Sequence, residues 1–393
     1  MTDPRATTPV DTAESESVGP PVRAGRRWRR LPPAYSPLPL GALANAAGNV
    51  LRRHDSRPAL GDQLKSTYGA ERVALLDSGT HALELALRVA ARLAEPGAGI
   101  ALPAYACFDL ATAAVATGLP LMLYDVLPDT LAPNPESLAE AMRAGAGIVV
   151  IAPLYGLAVP WDELHAAAEH SGAVLVEDAA QGYGSSWRGR IAGQQTDLSV
   201  LSFGRGKGWT GGSGGALMAR GAAADLLDEI VADTAPGVER SASTLARATA
   251  MSAFVHPSAF ALAAALPWLH LGETRYHAPT APRRLSPAAA SLLLASAEHA
   301  RTEAERRRVA AALYLGQLAD IPGVCPVRPV AGTEGGYLRF PLRVPHGMSG
   351  LTDSGRALSL GVAPGYPSPL GELLAVRARL MPAAHTGRWL GAE

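Results

Sequence analysis

Val174-Leu175-Val176-Glu177-Asp178-Ala179-Ala180-Gln181 opens on an apolar run and closes on two carboxylates and an amide. A short apolar run of this kind reads as a strand buried on both faces. Six similar runs flank it: Arg72–Asp77, Ile100–Pro103, Leu121–Asp125, Ile148–Pro153, Leu198–Phe203 and Ala216–Ala219. Helical stretches such as His81–Leu93, Pro135–Arg143 and Trp161–His170 stand between most of them. Strands alternating with helices of this length predict an α/β fold with a mostly parallel seven-stranded sheet and helices on both faces. In such sheets ligands bind beyond the carboxyl ends of the strands, so Asp178 is expected at the mouth of a site.

Bulk composition narrows the class. The chain has 393 residues, 48% of them hydrophobic and 18% charged, which suits a globular protein of two or three domains. Lys plus Arg and Asp plus Glu are equal at 35 each. Without a positive excess, nucleic acid is not an expected partner. Cys107 and Cys325 form no metal-ligand spacing and no disulfide framework, which fits a reducing cytoplasm and no metal. The polar stretch Met1 to Gly25 and the cluster Arg26-Arg27-Trp28-Arg29-Arg30 read as a solvated arm, and no apolar core follows them at signal-peptide distance.

Three segments carry chemistry. Leu76-Asp77-Ser78-Gly79-Thr80 ends a strand and opens a helix, where unpaired amides and the helix dipole suit a phosphate. Ser-Gly-Thr also serves as an ordinary helix cap. Asp178 closes its strand as a carboxylate able to pair with a protonated pyridine nitrogen, or as a simple cap. The third is Leu201-Ser202-Phe203-Gly204-Arg205-Gly206-Lys207-Gly208-Trp209, followed by Gly211-Gly212-Ser213-Gly214-Gly215. A Walker A loop fails here, because Leu201 and Gly208 stand where Gly and Ser/Thr are required. Gly206, Gly208 and Gly211 have dinucleotide-loop spacing, but glycine and an apolar run follow instead of the required helix. A lysine beside amide donors and Ser202 suits an aldehyde cofactor that carries a phosphate.

Taken in order, Ser78-Gly79-Thr80, Glu177 to Gln181, and Ser202-Phe203 with Lys207 five positions after the serine resemble the DegT/StrS sugar aminotransferase family. Leu154-Tyr155-Gly156 and Gly214-Gly215-Ala216 add to the likeness, which is strong over residues 60 to 220 and weaker over 283 to 385. The resemblance implies the fold-type I architecture of enzymes dependent on pyridoxal 5'-phosphate (PLP), with a smaller C-terminal α+β domain. It implies that Lys207 holds the cofactor as an imine and moves the proton. It further implies that Asp178 pairs with the ring nitrogen and Gln181 approaches the ring's phenolic oxygen, while Gly79, Thr80 and Ser202 hold the phosphate. The expected activity is transfer of an amino group from an amino acid donor to a keto or aldehyde group of a small biosynthetic metabolite, in a homodimer. Another PLP reaction on the same scaffold (elimination, decarboxylation or carbon–carbon bond formation) is the alternative.

Several positions depart from the family pattern. Cys107 stands where an aromatic ring usually stacks on the cofactor, leaving Cys107, Tyr105 or Phe108 for that task. Gly208 replaces a frequent Asn, Tyr183 a substrate-facing His, and Pro282-Arg283-Arg284 the segment Asn-Tyr-Arg. The expected division is an arm over 1–34, a large cofactor domain over 35–222, an Ala/Pro-rich insertion over 223–282 and a small domain over 283–393. Within the insertion, 248–272 has the length of a membrane span but is broken by Pro257 and Pro267. A hairpin packed on the protein or on a partner subunit is expected there in preference to membrane-surface contact.

Overall fold

The computed structural model describes residues 29–33, 35, 38–266 and 274–381. Most of the expected arm over 1–34 lies outside these residues, as do Pro267 and His270 of the apolar segment.

Helices α1 (Leu40–Leu51) and α2 (Arg57–Tyr68) precede β1 (Arg72–Leu76). The alternation then runs α3 (Gly79–Leu93), β2 (Gly99–Pro103), α4 (Phe108–Thr117), β3 (Leu121–Tyr124), α5 (Pro135–Arg143), β4 (Ala146–Ile151), α6 (Trp161–Ser171) and β5 (Val174–Asp178). Short strands β6 (Ser186–Trp187) and β7 (Arg190–Ile191) lead to β8 (Leu198–Ser202) and β9 (Gly215–Ala219). After them come α7 (Ala222–Thr234), β10 (Gly237–Val238), α8 (Ser241–Phe254), α9 (Pro257–Ala264), β11 (Arg283–Arg284) and α10 (Pro287–Leu318).

All seven expected strands lie in one sheet, in the order β1-β9-β8-β5-β4-β2-β3, and β11 and β10 extend it beyond β1 to nine strands. Neighbours from β3 through β8 pair in parallel, and β9 runs antiparallel to both β8 and β1. Alternate strand residues serve two different cores. Leu76, Ile100, Leu102, Ile148, Val150, Val176, Leu198, Val200 and Leu217 face the layer of α3, α4 and α7. Ala101, Met122, Val149, Ile151, Leu201, Ala216 and Met218 face the opposite side. That period of two is why the runs read as buried on both faces. Each such Leu, Ile or Val removed from water contributes roughly 1.5–3 kcal/mol.

The segment 223–282 is tied to the sheet through β10, which pairs in parallel with β11. In the same segment, α8 packs on α1 and α10 through Leu245 and Ala248. Pro257 starts α9 instead of interrupting a longer helix, consistent with its fixed φ and missing N–H. Among the described residues no helix is long and apolar enough to cross a membrane.

The stretch Ser286 to Leu318 is one helix of 32 residues. Ser286 caps it by accepting from the Ala289 amide, and Pro287 occupies its first position. Its first half is buried against α1, α2 and α8; its second half is largely exposed and leads to the C-terminal part. There Gly336–Val344 has a strand-like sequence, but only Leu342–Arg343 forms a strand, paired with Cys325–Pro326. Tyr337 sits at φ 42, outside strand geometry, and Pro341 has no amide to donate.

Candidate active site

The three sequence segments converge at the carboxyl ends of β1, β5 and β8. Ser78 extends beyond β1 and its hydroxyl caps α3 by accepting from the His81 amide at 3.1 Å. The amides of Gly79 and Thr80, in the first turn of α3, have no intrahelical acceptor. A Cβ on Gly79 would lie 2.5 Å from Ser202 Cβ and 2.6 Å from Ser202 Oγ, so only glycine allows this approach. The hydroxyls of Thr80 and Ser202 make no hydrogen bond among the described residues. Two amides and two hydroxyls on a helix N-terminus form a donor set that fits a phosphate.

Asp178, at the end of β5, is buried and accepts from the Ala180 amide through one oxygen at 3.0 Å. Burial raises its pKa, and the charge of Lys207 pulls it back. Lys207 is therefore close enough for its charge to act on the buried carboxyl. Cys107 lies there too, half-buried at the N-cap of α4, its thiol donating to Asp109 Oδ2 at 3.6 Å. Burial first, and Asp109 second, push the thiol up to about 12, so it stays protonated beside Lys207.

The lysine loop is held at both ends. Phe203 receives bonds on its carbonyl from Thr210 Oγ1 at 2.8 Å and the Gly211 amide at 3.1 Å. Trp209 is buried, donates its indole N–H to the Leu293 carbonyl of α10 at 3.0 Å, and meets Phe203 edge-on at 5.3 Å. Between these anchors the chain turns at Gly206, whose φ of 78 favours glycine. Lys207 thereby lines an open cleft of about 2560 Å³, together with Cys107, Phe108 and Gln181. Lys65 and Lys207 are the chain's only lysines, and Lys65 lies on α2 outside the cleft lining.

Two expected residues have side chains already engaged within the protein. The amide of Gln181 is already engaged: its oxygen accepts from the Tyr155 backbone at 3.0 Å and its nitrogen donates to Tyr366 Oη at 2.8 Å. Tyr183 is absent from the cleft lining, and its ring packs beside Trp209 at 5.9 Å. Of the three candidates for a ring stacker, Phe108 is buried in the core. Tyr105 joins Tyr155 and Tyr366 in a cluster. Its hydroxyl bonds Tyr155 Oη at 2.9 Å and accepts from the Tyr366 amide at 3.1 Å.

A model of the DegT/DnrJ/EryC1/StrS aminotransferase family matches residues 46–385. The chain belongs to that family. Among curated family relatives, 3-amino-5-hydroxybenzoate synthase of Amycolatopsis mediterranei (strain S699) is 32% identical over 151 residues, 38% of each chain. L-Glutamine:2-deoxy-scyllo-inosose aminotransferase of Streptoalloteichus tenebrarius is 30% identical over 218 residues, 52% of this chain and 49% of that one. The matches thus span less than half the length of these relatives. The crystal structure of DesV from S. venezuelae superposes with a TM-score of 0.66 at 21% identity, covering 88% of both chains. This likeness establishes a shared fold.

One departure from the family pattern has a steric cause. A Cβ on Gly208 would lie 2.8 Å from Tyr183 Cβ and 3.2 Å from Arg307 Nη2. Tyr183 thus fills the place of a side chain at 208. Gly208→Ala is expected to cost about 1–3 kcal/mol, because a Cβ–Cβ contact that short forces backbone movement. Gly204→Ala, in the same loop with its nearest atom at 3.9 Å, should cost under about 1 kcal/mol. Urea midpoints of the two variants measure the difference; equal shifts would show that Tyr183 yields freely.

Proposed function

We propose that the chain is a PLP-dependent aminotransferase. It passes an amino group from an amino acid donor to a keto or aldehyde group of a small sugar-like or natural-product intermediate. The observation that carries this reading is that buried Asp178, within reach of the Lys207 charge, and the donor cup of Gly79, Thr80 and Ser202 stand at the carboxyl ends of β5, β1 and β8 in one sheet. The donor cup matches a phosphate, and the carboxylate matches a protonated ring nitrogen. PLP, when bound, supplies the electron-poor ring that makes a donor's α-proton removable.

The protein's own residues divide the remaining work. Asp178 would hold the proton on the ring nitrogen, its burial making that pairing strong. Lys207 would hold the cofactor covalently and, once displaced by the donor amine, move the proton between carbon atoms as a general base. Cys107 would present a protonated thiol where relatives place an aromatic ring. Gln181, held by Tyr155 and Tyr366, would act at the ring edge from a fixed position. Family likeness further supports a homodimer located in the cytoplasm, with the large domain over 35–222, the 223–282 segment and the small domain over 283–393 as its parts.

Because the chain has two lysines, the test is direct. Borohydride reduction of cofactor-loaded protein should leave the cofactor mass on the peptide containing Lys207. Prior addition of L-glutamine or L-glutamate alone should bleach the visible absorbance and remove that mass tag. A tag on Lys65, or no spectral change with any of the standard amino acids, would overturn the proposal.

A further inference from the structure

Four residues distant in sequence close a ring of hydrogen bonds at the cleft. The Tyr155 amide donates to Gln181 Oε1 at 3.0 Å, and Gln181 Nε2 donates to Tyr366 Oη at 2.8 Å. The Tyr366 amide donates to Tyr105 Oη at 3.1 Å, and Tyr105 Oη meets Tyr155 Oη at 2.9 Å. Tyr105, Tyr155 and Gln181 follow β2, β4 and β5, while Tyr366 belongs to the C-terminal part; all four line the cleft with Lys207. The tyrosines also pack on one another. Tyr366 stacks on Tyr155 with centroids 5.8 Å apart and meets Tyr105 edge-on at 5.2 Å.

The backbone is shaped to bring Tyr366 here. A Cβ on Gly365 would lie 2.2 Å from Tyr105 Oη, so the chain passes this hydroxyl only as glycine. Four residues later the Leu370 amide donates to the Ala104 carbonyl at 2.8 Å, tying the same segment beside Tyr105. Tyr155 sits at φ 58, a backbone that a tyrosine adopts only when its surroundings hold it there. Burial raises the pKa of both Tyr155 and Tyr366, which keeps their hydroxyls neutral.

A carboxamide offers one oxygen and two N–H donors. In Gln181 the oxygen is committed to Tyr155 and one N–H to Tyr366, from two different parts of the fold. These two bonds fix the plane of the amide and so the direction of its second N–H, which has no partner among the described residues.

We propose that Tyr366 is a positioning residue: by holding Gln181 from the C-terminal part, it aims the second Gln181 N–H at the phenolic oxygen of the bound cofactor ring. The proposal rests on the reading that PLP occupies the site with Gln181 at its edge. It adds that the aim is set by a tyrosine 185 positions away.

The pH dependence of the visible absorbance of the loaded protein tests it, without turnover. As pH rises, the proton shared by the imine and the ring oxygen leaves, and negative charge gathers on that oxygen. A donor aimed at the oxygen favours the deprotonated form and lowers the midpoint. Gln181→Ala should therefore raise the midpoint by about 1–2 pH units, the worth of one hydrogen bond to a charged group. Tyr366→Phe keeps the stacked ring and removes only the acceptor, and should raise it by about 0.5–1 pH unit. Added to Gln181→Ala, Tyr366→Phe should have no further effect, because it acts only through Gln181. A purely structural tyrosine would lower the urea midpoint and leave the pH midpoint in place. The proposal is overturned if Tyr366→Phe moves the pH midpoint by less than about 0.2 pH units while Gln181→Ala moves it fully. It is also overturned if Tyr366→Phe has the same effect with and without Gln181, which would make the hydroxyl act directly. No shift in Gln181→Ala would remove Gln181 from the ring edge, and the task of Tyr366 with it. Failure of the PLP reading is distinguishable from all of these, as wild-type protein that takes up no visible-absorbing cofactor, and it would sink both.

Discussion

Lys207→Ala is expected to lower turnover by at least about 10⁴-fold while leaving the fold intact. The rate loss follows from two tasks joined in one side chain, covalent attachment and proton movement, neither of which has a substitute nearby. Lys65 is the only other lysine and lies on α2. Lys207→Arg should be as inactive as the alanine variant, since a guanidinium stays protonated and forms no imine under these conditions. Cations are otherwise supplied almost wholly by arginine in this chain, so a lysine at 207 marks a position where the two are not interchangeable. The loop's own anchors, Trp209 to Leu293 and Thr210 to Phe203, do not involve the Lys207 side chain. The urea midpoint of Lys207→Ala should therefore stay within about 1 kcal/mol of the wild type. Added methylamine should restore part of the proton-transfer rate in Lys207→Ala and none in Lys207→Arg, where the larger side chain fills the space. An alanine variant retaining more than about a tenth of wild-type turnover would remove Lys207 from the reaction.

Much of this arrangement is legible in the sequence because the sheet is buried on both faces. Continuous apolar runs locate the strands, and the polar residues after them mark the mouth of the site. The C-terminal part is less legible. Gly336–Val344 has strand-like composition, yet Tyr337 at φ 42 and Pro341 break the pattern that periodicity suggests. The same limit applies to the site's outer wall. Tyr105, Tyr155 and Tyr366 meet only through tertiary contact, Tyr366 reaching Gln181 across 185 positions. No local spacing announces such a cluster. Tyr183 illustrates the converse: its sequence position suggests a substrate contact, but Gly208 lets its ring fold against Trp209 instead.

Glu177 stands one residue from Asp178, and sequence alone assigns it no role. The fold makes it a major structural carboxylate. It is fully buried, accepts from the Gly193 amide at 2.8 Å through one oxygen, and from the Gln195 amide and Ser199 Oγ at 3.0 Å through the other. Arg220 lies close by, spreading its guanidinium over the carbonyls of Tyr68, Gly193 and Thr196. Glu177→Ala would leave three buried donors without an acceptor and remove one of the negative charges near Arg220. The expected cost is about 3–5 kcal/mol, since each buried donor left unsatisfied costs about 1–3 kcal/mol. Glu177→Gln keeps the shape but turns an NH2 toward a donor, so about 1–3 kcal/mol is expected. Burial raises the Glu177 pKa and outweighs the opposing donors and Arg220. The native carboxyl therefore takes up a proton more readily than the unfolded chain's does. Its contribution to stability is complete below the ordinary glutamate value and declines as pH rises through the raised native one. Glu177→Gln should flatten that part of the stability profile, with urea midpoints measured across the acid range as the readout. A shift below about 1 kcal/mol for Glu177→Ala would mean that water replaces the carboxylate at no net cost, and the network would then lose its structural role.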